Sequence, residues 1–148
     1  MACPFFVPVE PLGRRHWRHA PRFPLGEAYR GVCQAAAEPF TPPESRLEEI
    51  CNCGYARLRC DRFPAGAPDA VRFSLIAEDK QRIRIVYVLE RDHAPHSHGA
   101  IEYSKADAGL PGAAGRLEAQ ARAFVASHLR RAGQPAPDSS RAELPPRS

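Results

Sequence analysis

Five cysteines constrain this chain more than any other feature: Cys3, Cys33, Cys51, Cys53 and Cys60, the last three in the single string CNCGYARLRC. In a reducing compartment, thiols gathered this way hold a metal or a metal–sulfur cluster more often than they form disulfides. Their odd number also fits poorly with a fully paired disulfide framework. Four thiolates close a tetrahedral zinc site or a four-iron cluster. The expected ligands are Cys3, Cys33, Cys51 and Cys60. Cys51 and Cys60 flank the end of one expected helix, so closing the loop between them costs little entropy. Cys33 returns to the same point across that helix, and Cys3 would tie the leading segment down. Cys53 is the alternate ligand in place of Cys3, because Cys51 and Cys53 can share a site only if the helix has already ended.

Structural zinc sites draw their ligands in close C-x2–4-C pairs, and this chain has none. The expected cofactor is therefore a 4Fe–4S cluster, with zinc as the alternative. The dipeptide Cys3-Pro4 resembles the end of ferredoxin cysteine runs. Arg57, Arg59 and Arg62 lie beside Cys60 and are expected to offset the negative charge of a thiolate-bound cluster.

The expected fold class is α+β: a Pro-rich N-terminal arm, a short helix, a three-stranded antiparallel sheet and a C-terminal helix. Residues 1–40 carry Pro4, Pro8, Pro11, Pro21, Pro24 and Pro39, which forbid long helices, and read as an irregular arm docked through Phe5, Phe6, Trp17, Phe23 and Tyr29. Residues 41–130 read as the α+β core. Thr41, Pro42 and Glu44 compose a helix start with a capping box, Leu47, Ile50 and Cys51 an apolar stripe, and Gly54 a stop. Strands are expected at 70–77 and 82–89, joined through the polar 78–81, with a third near 100–103 after the loop RDHAPHSHG. A helix is expected from about 113 to 130, with Leu117, Ala121, Phe124, Val125, His128 and Leu129 on its buried face. Residues 131–148, rich in Pro, Ser and charge, read as a disordered tail.

His93, His96 and His98 punctuate the loop before the third strand. The string HSHGAIE has the H-x-H-x3-E spacing of the first cupin motif, and Gly109 stands where that motif's later glycine falls. This resemblance implies His96, His98 and Glu102 as ligands of a divalent metal. Glu90 occupies the position of the motif's leading glycine and no second histidine motif follows, which puts the jelly roll in doubt.

The net charge is +4, and Lys80 and Lys105 are the only lysines. With Trp17 between His16 and His19, the arginines admit a nucleic-acid partner. The N-terminus lacks the basic and apolar regions of a signal peptide, and no run approaches the roughly 20 apolar residues of a membrane span. The expected location is the cytoplasm. Phosphate-binding glycine loops, H-E-x-x-H, G-x-S-x-G and C-x-x-C are all missing, so catalysis is not expected. The expected function is a small cytoplasmic cysteine-ligated cluster protein with a structural or electron-transfer role and a redox or other protein partner. The alternative is a zinc-stabilised module that binds nucleic acid or protein.

Overall fold

A computed structural model describes residues 2–12, 23–53, 56, 59–64, 66, 68–111 and 113–135. The fold is mixed α+β, with two antiparallel sheets and two helical segments. Among the described residues no helix is long and apolar enough to cross a membrane.

The expected irregular arm is corrected in its described part. Strands β1 (Phe6–Pro11) and β2 (Tyr29–Cys33) form a two-stranded antiparallel sheet, with Phe6 opposite Cys33 and Val7 opposite Val32. Pro8 and Pro11 are tolerated because the strand pairs on one side only, so a missing N–H need not break a ladder. The register slips between Pro8 and Glu10. At Gly31 an added Cβ would stand 2.0 Å from the Val7 carbonyl oxygen, so only glycine lets the strands close. Trp17 and its flanking histidines lie outside the described residues.

The first helix starts later than expected. Pro43, extended at φ −66° and ψ 159°, precedes α1 (Glu44–Arg46), and no side chain caps it. The proline pair keeps the preceding backbone extended, which displaces the start from Thr41. The chain then widens into a π-helical turn, Leu47–Cys51. The cause is local. Both the backbone N–H and the side-chain amide of Asn52 donate to the Leu47 carbonyl, at 3.2 and 2.9 Å. Asn52 also accepts from Tyr29 N and donates to Tyr29 O, at 2.9 and 3.0 Å. This buried amide clamps the helix end to β2. Gly54, the expected stop, lies outside the described residues.

Strands β3 (Ala70–Glu78), β4 (Arg82–Arg91) and β5 (Ala94–Ser104) form the second sheet, in that order. The Asp79 carboxylate accepts from the N–H groups of Gln81 and Arg82 and shapes the first turn. The expected loop RDHAPHSHG is corrected: it is a two-residue turn at Asp92 and His93, followed by strand. Both turn residues hold positive φ, 51° and 62°, the geometry of a tight hairpin turn.

Val71, Phe73, Ile83, Ile85, Ile101 and Tyr103 face the core. Helix α2 (Gly115–Arg131) packs on them with Ala121, Val125 and Leu129, and Phe124 stacks on Phe73 at 5.7 Å. Each fully buried large side chain of this kind contributes about 1.5–3 kcal/mol. Toward the first sheet α2 turns two polar residues. Gln120 donates to the carbonyls of Cys3 and Phe6, both at 2.7 Å. Tyr29 Oη donates to the Ala123 carbonyl at 2.8 Å and meets Ser127 Oγ at 2.6 Å. After α2, Gln134 bonds to Glu78 and Lys105. Residues 136–148 of the expected tail lie outside the described residues.

Candidate metal centre

The four expected ligands sit on different segments of the chain. Ala2 forms an antiparallel bridge with Val71 on β3, which fixes the start of the chain. Cys3 N–H then donates to the Cys51 carbonyl at 3.2 Å, joining the leading segment to the last residue of the π-helical turn. Cys33 ends β2, opposite Phe6, and exchanges two backbone hydrogen bonds with Phe40, at 2.7 and 3.0 Å. Cys60 sits on a turn held by its N–H to the Ala56 carbonyl at 2.6 Å. Three side-chain contacts bring that turn in. Phe63 meets Phe5 edge-on at 5.5 Å, Arg62 stacks over Phe40 at 3.8 Å, and Arg46 reaches Asp61 at 3.0 Å.

All five cysteines are free thiols. Cys3 and Cys51 are buried, while Cys33 and Cys60 are half-buried. Burial pushes the Cys3 thiol up to about 12, and Cys33 and Cys60 add to the effect. Burial likewise pushes Cys51 up to about 12, with further contributions from Cys3, Cys33 and Cys60 and a partial offset from Arg46. Cys33 and Cys60 therefore lie within electrostatic reach of both Cys3 and Cys51. Without a bound cation Cys3 and Cys51 stay protonated at neutral pH, because burial disfavours the thiolate. A centre that binds thiolates would displace those protons.

Cys53 Sγ donates to the Glu48 carbonyl at 3.1 Å, and burial pushes its thiol up. Among the described residues no three or more His, Cys, Asp or Glu side chains are gathered tightly enough for a single metal ion.

Arg46, which sequence reasoning missed, places its guanidinium 3.8 Å from Cys60 Sγ. Of the arginines expected in that role, Arg62 rests on Phe40, Arg59 acts on Cys53, and Arg57 lies outside the described residues. Asn52 and Gln120 were equally hidden; they bond to backbone far away in sequence, and composition carries no signal for that.

His96, His98 and Glu102 all lie exposed on β5. His98 pairs with Val88 and Glu102 with Arg84, while the register slip between Leu89 and Glu90 leaves His96 without a partner across the ladder. Four residues of strand separate His98 from Glu102 by about 13 Å, too far to share one ion. Glu102 instead pairs with Arg82 at 3.5 Å.

No protein-family model matches this chain, and no curated protein or solved structure is detectably similar to it.

Proposed function

We propose that this chain is a small iron–sulfur protein in which Cys3, Cys33, Cys51 and Cys60 hold a 4Fe–4S cluster. The observation that supports this reading is that Cys33 and Cys60 both act electrostatically on buried Cys3 and Cys51, whose segments are joined by the hydrogen bond from Cys3 N–H to the Cys51 carbonyl. A cluster spreads its ligands more widely than a zinc ion does. Arg46 beside Cys60 offsets part of the negative charge of a thiolate-bound cluster.

Four thiolate ligands leave no iron position open to substrate, which supports a structural or electron-transfer role. Cys33 and Cys60, the two half-buried thiols, form the side from which an electron would pass to a redox protein. Anaerobically purified or reconstituted protein is expected to contain equal iron and acid-labile sulfide and to absorb near 400 nm. Cys53→Ser should retain both, and Cys60→Ser should lose them. A colourless protein with stoichiometric zinc, or a cluster that survives Cys60→Ser and departs with Cys53→Ser, refutes the reading.

A further inference from the structure

Phe5 joins the thiol region to a groove of about 720 Å³, within the size range of small-molecule sites. Apolar side chains dominate the walls, including Phe5, Val32, Val71, Leu89 and Leu117. Among the described residues Arg116 is the one charged residue that lines it. Its guanidinium lies 4.5 Å over the Phe5 ring and donates once, to the Gln34 carbonyl at 3.2 Å. Arg30, Arg46, Arg72, Arg82, Arg122 and Arg130 each pair with a carboxylate. Arg116 has no such partner among the described residues.

A second observation is independent of this cation. Gln120, 1% exposed, also lines the groove. Both bonds of its side chain run from the amide nitrogen, to the carbonyls of Cys3 and Phe6. Its side-chain oxygen accepts no hydrogen bond among the described residues. A buried acceptor without a donor is costly and uncommon; a carboxylic acid that also carries a hydroxyl would satisfy it, and a simple carboxylate leaves it as it stands.

We propose that this groove binds a small carboxylic acid with an apolar body, its carboxylate held by Arg116 and its body laid along Phe5, Val71, Leu89 and Leu117. One unpaired guanidinium matches one carboxylate in charge and in planar geometry. A phosphate dianion would call for a second cation, which the lining lacks among the described residues. The site stands whether or not the thiols carry a centre.

Titration calorimetry with octanoate and its neutral isostere octanamide tests this. Octanoate should bind saturably, and octanamide about tenfold or more weakly, the scale of a lost charge-assisted hydrogen bond. Arg116→Met should bring octanoate down to the level of octanamide, with circular dichroism verifying the fold. Ala37→Trp, at an exposed residue of the rim, should weaken both ligands by occlusion, and serves as the mutational test if Arg116→Met fails to fold. The proposal is overturned if octanoate shows no saturable binding, if octanamide binds equally well, if folded Arg116→Met keeps its affinity for octanoate, or if Ala37→Trp weakens neither ligand.

Discussion

Replacing Asn52 with alanine removes the amide that clamps the first helix to β2. The side chain is 1% exposed and makes three hydrogen bonds, two to the backbone of Tyr29 and one to Leu47. The Leu47 carbonyl keeps the Asn52 N–H at 3.2 Å. The Tyr29 N–H and carbonyl lose their side-chain partner inside the protein. Each orphaned buried group costs about 1–3 kcal/mol, so a loss of about 2–4 kcal/mol is expected, against a total stability of about 5–15 kcal/mol. With a urea slope of about 1–3 kcal/mol per molar, the midpoint should fall by about 1–2 M at unchanged slope. Asn52→Asp keeps the shape and the acceptor for Tyr29 N–H, but sets a carboxylate against two carbonyls. It should be at least as destabilised at pH 7 and recover partly in acid, where a protonated carboxyl can donate. A midpoint shift below about 0.3 M for Asn52→Ala would refute the clamp, because it would mean that water satisfies Tyr29 equally well.

Two further predictions concern pH. Hydrogen bonds from Lys105 and His128 hold the Glu78 carboxyl down, from an ordinary 4.5 to about 2. Its contribution is therefore present above pH 4.5 and lost as pH falls from 4.5 toward 2. Glu78→Gln should cost about 1 kcal/mol at pH 7, after allowance for solvent screening of a partly exposed site, and should flatten that acid limb in urea unfolding; an unchanged limb refutes the assignment. The cofactor-free protein should lose stability from about pH 9 upward. Its unfolded chain ionises Cys3 and Cys51 near the ordinary 9.0, while the folded chain resists until about 12. Cys51→Ala should weaken that alkaline dependence in denaturant titrations, and an identical slope in both proteins would disprove the shift.

The elements that alternation or periodicity can reveal were legible: the hairpin around the 78–81 turn, and α2 with its apolar face. The elements that depend on tertiary tolerance were not. Pro8 and Pro11 argue against a strand in any sheet interior, yet β1 pairs on one side only and accepts them. Asp92 and His93 lack the Asn-Gly or Asp-Gly signature of a two-residue hairpin, yet the flanking ladder holds both at positive φ.

The thiols show why the site was only half legible. Their number and spacing suggest a shared centre, and loop closure favours Cys51 with Cys60. Separating Cys51 from Cys53, two positions on, takes the direction of each side chain. That direction follows from the π-helical turn, which the Asn52 amide sets by drawing the Leu47 carbonyl and the Tyr29 backbone together. The Cys51 carbonyl then accepts from the Cys3 N–H, while Cys53 Sγ donates to the Glu48 carbonyl. On the proposed reading, the residue between the two cysteines decides which of them is a ligand. If so, Asn52→Ala should disturb cluster loading more than its loss of stability alone explains.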